Sequence, residues 1–216
     1  MERRKWVLYL DEILNSLTHG AGILLSIAGL VLLLVFAGIK DADAWKIVSF
    51  SVYGASLIIM FTASTLYHSF RNKKIKHFFN LFDHASIYVL IAGTYTPFTL
   101  VSMRGPWGWT IFGVIWGLAI AGVIFKLFFY KDKYRFLSAI VYIIMGCIII
   151  VAIGPMIRNV PAPGLYWLLA GGISYIAGVY FYLRRENRFN HVIWHLFVLG
   201  GAISHFISIF KYVLPH

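Results

Sequence analysis

Long runs of apolar residues, separated by short polar connections, dominate the pattern along this chain. Seven of these runs have about the 20 residues that a helix needs to cross a bilayer. The seven segments are 16–38, 45–68, 83–102, 107–129, 136–157, 162–183 and 191–214. The pattern predicts an all-α seven-transmembrane helix bundle, in which residues 1–216 form a single integral membrane domain. Pro97 falls inside the third segment and predicts a kink there.

Composition supports this interpretation. The chain is 60% hydrophobic and only 12% charged, whereas a soluble domain has about 25% charged residues. Residues 1–11 lack the pattern of a signal peptide, so we expect the first apolar run to be retained as a span. The single cysteine, Cys147, lies in an apolar run, which excludes a disulfide framework and a cysteine-based metal site. We expect a multi-pass protein of the cell (plasma) membrane.

The net charge of +11 falls in short clusters between the apolar runs, which argues against nucleic acid as a partner. Of the 19 Lys and Arg residues, fourteen fall at the N-terminus and on every second connection after it. The other five are Lys40, Lys46, Arg104, Arg158 and Lys211. Because basic residues accumulate on cytoplasmic connections, this asymmetry predicts a cytoplasmic N-terminus and an outside C-terminus.

Polar residues that suit catalysis or metal binding gather at the predicted cytoplasmic ends of four segments. They are Glu12, Asn15 and His19 in the first segment, Ser64 and His68 in the second, Asp83 and His84 in the third, and His191 and His195 in the seventh. Segments far apart in sequence thus bring histidines and carboxylates to one membrane depth. This convergence favours a metal site.

His191 and His195 are four residues apart, so they share one face of a helix and can bind one metal ion. His68 completes a three-histidine set. Three protein ligands with a fourth position left for water are typical of catalytic zinc, which makes Zn²⁺ the expected cofactor. The alternative is that the pair merely hydrogen-bonds to lipid headgroups or neighbouring helices.

Asp83 and Ser64 are the candidate catalytic residues. Asp83 suits a role beside the metal, where its carboxylate would orient the water and accept its proton. Ser64, one turn before His68, could hydrogen-bond to the water or to a substrate carbonyl. Attack on an amide or ester carbonyl is the natural reaction, and the location at the membrane surface indicates a lipid substrate.

The other polar residues of these segments have simpler interpretations. We interpret Glu12, Asn15 and His19 as a hydrogen-bond network between packed helices rather than as a second metal site. His84 points about 100° away from Asp83 on a helix and is interpreted as interfacial. His205 is interpreted as a satisfied core histidine.

The combined motifs resemble the haemolysin III family. They are Glu12-x-x-Asn15-x-x-x-His19, Ser64-Thr65-Leu66-Tyr67-His68, Asp83 and His191-x-x-x-His195. That family is grouped with the progestin and adiponectin Q receptors and the alkaline ceramidases. The resemblance implies a seven-helix fold with the N-terminus inside. It also implies zinc held by the histidines that match His68, His191 and His195, with Ser64 and Asp83 nearby.

Three functions remain open. The first is a zinc-dependent lipid amide hydrolase in membrane lipid and fluidity homeostasis, whose partners would be membrane lipids such as ceramide-like or N-acyl lipids or free fatty acids. The second is a non-enzymatic lipid sensor with structural zinc. The third, a pore-forming cytolysin, is disfavoured because the sequence has no secretion signal and no amphipathic pattern for insertion into a foreign membrane. An open fourth coordination position would favour the enzyme over the sensor.

Overall fold

The computed structural model describes residues 2–129, 131–184, 187 and 189–215. Within these ranges the chain is helical without strands, and seven helical segments are long and apolar enough to cross a membrane. The predicted all-α fold with seven spans is confirmed. The elements are α1 (Glu2–Ile39), α2 (Ala44–Ser69), α3 (Lys73–Pro97), α4 (Pro106–Phe128), α5 (Arg135–Cys147), α6 (Ile153–Asn159), α7 (Ala162–Leu183) and α8 (Asn190–Tyr212).

The packing of the helices joins the two ends of the sequence. α1 packs against α2 and α8, α8 packs against α7, and α3 packs against α2, α4 and α5. The start of α1, the end of α2 and the start of α8 therefore meet at one end of the bundle. This arrangement collects the polar residues that the sequence places near those helix ends.

α3 lies at the centre of the bundle, and its residues from Ala92 to Pro97 are all buried. The outer faces of α1, α4 and α7 instead expose large apolar side chains, such as Leu24, Ile120 and Leu169. These apolar side chains can contact the acyl chains of lipids. The backbone polar groups need no partner there, because they are already paired inside each helix.

Two helices begin well before the apolar segments that predicted them. α1 starts at Glu2 and α3 at Lys73, where Asn72 caps the helix by accepting hydrogen bonds from the amides of Lys74 (3.0 Å) and Ile75 (3.4 Å). The length of an apolar run reflects the thickness of the hydrocarbon layer. It does not report how far a helix continues into the polar region beyond.

The two spans that contain a proline beyond the first turn of the helix, Pro97 in the third and Pro155 in the fifth, depart from regular α-helix. After Pro97 the chain continues as a π-helix over Phe98–Ser102. The fifth span, expected to be continuous, changes to a 3₁₀-helix over Ile148–Ala152 before α6 begins. Pro155 explains this break, because proline has no N–H for the carbonyl four residues earlier and its ring clashes with that carbonyl.

The Tyr95 hydroxyl binds the backbone at this break. Its oxygen lies 2.9 Å from the Met145 carbonyl and 2.8 Å from the Gly146 carbonyl, to which it donates, and it accepts from the Ile149 amide at 3.0 Å. A side chain of α3 thus satisfies backbone groups that the α-helical pattern leaves unpaired.

Candidate metal centre

Three imidazoles meet at the end of the bundle where α1 begins. His68 lies in the last turn of α2, and His191 and His195 lie in the first two turns of α8. One ring nitrogen from each lies within 4.8 Å of the other two. The ring centroids are 4.6 to 5.1 Å apart. These three histidines could hold a metal ion, as the sequence led us to expect.

Hydrogen bonds at the far side of two rings orient their free nitrogens. Nδ1 of His68 donates to Oε2 of Glu12 at 2.8 Å, and Nδ1 of His195 donates to the Asn15 carbonyl at 3.2 Å. A ring that carries its proton on Nδ1 leaves the Nε2 lone pair available. Metal-binding histidines in general are held by such partners, which fix the tautomer and the orientation of the ring.

The free nitrogens fit a metal. Nε2 of His68 and Nε2 of His191 are buried and have no hydrogen-bond partner among the described residues. A buried polar atom without a partner is costly in an apolar surrounding, and a metal ion would remove that cost.

α1 supplies the groups that orient the ligands, a role that the sequence analysis did not assign to it. Glu12 contacts both His68 and Nζ of Lys76, so the carboxylate joins α1, α2 and α3. The spacing of Glu12, Asn15 and His19 on one helical face was the available signal. The sequence could not say that this face is turned toward the three histidines.

His19 is the fourth imidazole in the cluster. Its ring stacks on His195, with the centroids 3.5 Å apart and the planes 12° from parallel, and the edge of Phe61 lies against it. His19 is not one of the three residues whose donor atoms are mutually close. It contacts a candidate ligand without joining the ligand set.

The two predicted catalytic residues lie beside the cluster. The Asp83 carboxylate lies near the Ser64 hydroxyl and His68, although the hydroxyl has no hydrogen-bond partner among the described residues. Ser64 is fully buried. Asp83 is outside the group of three close donors, which suits a carboxylate that acts beside a metal rather than on it.

Lys126 and His84 also lie near Asp83. Lys126 of α4 is completely buried, lies within electrostatic range of Asp83, and has its ammonium 5.8 Å from the centre of the Tyr142 ring. His84, interpreted from sequence as interfacial, hydrogen-bonds to the Tyr182 hydroxyl at 3.1 Å. In the sequence Lys126 is one of the fourteen basic residues on the predicted cytoplasmic side, and nothing in its spacing marks it as an inward-facing cation.

The fold and this cluster define a helical multi-pass membrane protein with a candidate three-histidine metal centre. A family model described as "Haemolysin-III related" matches residues 8–206. The chain belongs to this family. The matched region contains every residue of the centre.

Named relatives extend over nearly the whole chain. It is 49% identical over 207 residues to "Hemolysin-3" of Bacillus cereus, an alignment that covers 95% of this chain and 93% of that protein. It is 44% identical to "Hemolysin-3 homolog" of Bacillus subtilis (strain 168), with 94% of each chain covered. It is 32% identical to the human "Monocyte to macrophage differentiation factor", with 92% of this chain and 83% of that protein covered.

Proposed function

We propose that this protein is a zinc-dependent hydrolase of lipid amides, embedded in the plasma membrane and acting in membrane lipid homeostasis. The observation that carries the proposal is the number and orientation of the donors. Three imidazole nitrogens converge, and two of the rings are held from behind by Glu12 and the Asn15 carbonyl. Three protein ligands are the number that catalytic zinc uses, whereas structural zinc is held by four.

Each residue of the centre has a defined task in this proposal. His68, His191 and His195 hold the metal, which when bound supplies a Lewis acid that activates water and polarises a carbonyl. Asp83 accepts the proton that the attacking water loses. The Ser64 hydroxyl, which is buried without a hydrogen-bond partner among the described residues, orients the water or donates to the substrate carbonyl. Water adds to the carbonyl carbon, the C–N bond breaks, and the amine leaves with a proton while the fatty acid is released.

The position of the centre explains why the substrate would be a lipid. Asn15, Ser64 and His195 are each at most 1% exposed, and the surfaces of α1, α4 and α7 are apolar. A substrate with a long acyl chain can reach such a site from within the bilayer, between helices.

The test offers the purified protein a panel of long-chain ceramides and other N-acyl lipids in detergent and measures free fatty acid. The His68→Ala variant provides the background. Release above this background, together with about one zinc per chain, supports the hydrolase. Zinc in the absence of release across the panel would favour a lipid sensor with structural zinc.

A further inference from the structure

A strip of unpartnered polar atoms lines the α1 side of the metal centre. Oδ1 of Asn15 and both ring nitrogens of His19 are buried and have no hydrogen-bond partner among the described residues. The two residues are 1% and 2% exposed. They are four apart on α1, so they face the same direction, one turn apart.

The surroundings of His19 restrict what can satisfy it. One face of the ring is covered by His195 and its side by Phe61. Phe61 approaches α1 where Gly22 has no side chain, since a Cβ there would lie 2.5 Å from the phenyl ring. The Phe61 side of His19 is therefore apolar and offers no hydrogen-bond partner. A partner for the two ring nitrogens has to come from the side of the metal centre.

The hydrogen-bond donors and acceptors of Asn15 and His19 determine which chemical group can bind beside them. A neutral imidazole has one N–H donor and one acceptor nitrogen, and the Asn15 oxygen is an acceptor. A ligand hydroxyl can donate to one of the two acceptors and accept from the imidazole N–H, and an amide N–H beside it would supply a donor for the second acceptor. An ester or ether has no donor and would leave these acceptors unpaired in an apolar site.

We propose that Asn15 and His19 form a hydrogen-bonding subsite, beside the metal centre, for a neutral hydroxyl or amide N–H in the headgroup of a membrane lipid. The proposal deepens the function proposed above, since the lipid bound here would be the substrate of that centre. It adds that a donor in the headgroup, rather than the acyl chain alone, determines which lipids bind. His19 contacts the ligand and does not coordinate the metal.

The test uses two probes that have no acyl bond, so hydrolysis plays no part in it. 1-Hexadecanol and its methyl ether differ in the hydroxyl donor and one methyl group. They compete at equal concentration for the metal-loaded protein in detergent, and native mass spectrometry gives the ratio of the two bound forms. We expect the alcohol to be preferred about tenfold, the effect of roughly one to two kcal/mol for a buried hydrogen-bonding group.

Variants of Asn15 and His19 test whether these two residues cause the preference for the alcohol. His19→Phe keeps the stacking on His195 and removes both nitrogens, and Asn15→Leu keeps the size and removes the oxygen. Both should abolish the preference, whereas His19→Gln, which again offers a donor and an acceptor, should restore part of it. The same Phe replacement at the exposed His77 is the matched control and should change nothing.

Three outcomes would overturn the proposal. The first is equal binding of both probes by the wild type. The second is a preference that persists in His19→Phe because the alcohol binds the metal directly. The third is loss of metal from His19→Phe as complete as that from His191→Ala. The last result would make His19 a ligand. None of these results depends on turnover, so failure of this subsite is distinguishable from failure of the proposed hydrolase.

Discussion

Oε2 of Glu12 accepts a hydrogen bond from Nδ1 of His68 at 2.8 Å, across 56 residues of sequence. This contact links the first helix to the end of the second and holds the His68 ring, whose Nε2 is buried without a hydrogen-bond partner among the described residues. Loss of a residue that orients a metal ligand typically lowers metal affinity about 10–100-fold. α1 is therefore part of the candidate metal centre although it supplies none of the three donors.

Removing the Glu12 carboxylate should weaken metal binding without abolishing it. We expect Glu12→Ala to lower zinc affinity about 10–100-fold, the usual effect of losing such a partner, because His68 then loses its fixed tautomer. Competition with a zinc chelator measures the affinity. Lys76→Met is the matched control: it removes the other ion pair of Glu12 but keeps the contact with His68, so its effect should be smaller. If Lys76→Met lowers zinc affinity as much as Glu12→Ala does, the Lys76–Glu12 ion pair rather than the contact with His68 supports metal binding.

The three histidines should behave as one ligand set. Replacing His68, His191 or His195 by Ala leaves two protein ligands, so each variant should lose most of its bound zinc during purification. Elemental analysis against protein concentration gives the stoichiometry, and His77→Ala, at an exposed position, is the control. Full zinc occupancy in His191→Ala would remove that residue from the centre.

Asp83 should affect turnover more than metal content. Asp83→Asn keeps the size of the side chain and removes the proton acceptor, so we expect about a 10²–10⁴-fold loss in rate. Zinc content should fall much less, because all three imidazoles remain. The lipid hydrolysis assay and elemental analysis on the same preparation separate the two effects. If Asp83→Asn loses zinc as fully as His191→Ala, the carboxylate is itself a ligand.

Tyr95→Phe tests the contact at the break in the fifth span. The variant removes the hydroxyl that bonds to the backbone of Met145, Gly146 and Ile149. Because those groups lie in an apolar surrounding, we expect a loss of about 1 kcal/mol in the free energy of unfolding. Thermal unfolding in detergent measures it. Tyr166→Phe, at a tyrosine that is 70% exposed, provides the control and should leave the transition unchanged.

The orientation of the bundle in the membrane is a separate prediction from charge. The asymmetry of Lys and Arg predicts that the N-terminus is cytoplasmic and the C-terminus outside. Reporters that are active only in the cytoplasm, fused in turn to each terminus, should be active at the N-terminus alone. Activity of the fusion after His216 would contradict this arrangement.

The sequence by itself determined the architecture, because the hydrocarbon layer imposes a simple rule on composition. A chain inside lipid must satisfy its own backbone and present apolar side chains, so seven apolar runs of sufficient length predict seven helices. The three histidines could be selected for the same reason. Polar residues near bilayer depth are rare, and those of the second and seventh segments recur at helical spacing.

Only the tertiary structure decided which faces meet. The helical pattern of Glu12, Asn15 and His19 shows that they share a face, but not that α8 packs beside α1 and turns His195 toward it. Likewise, Pro155 signals a disturbance in the fifth span, but the satisfaction of that break by Tyr95 depends on a contact between residues 54 positions apart. Local sequence encodes the period and length of a helix, whereas the contacts that orient a metal ligand are made between helices, where packing selects one rotation among many.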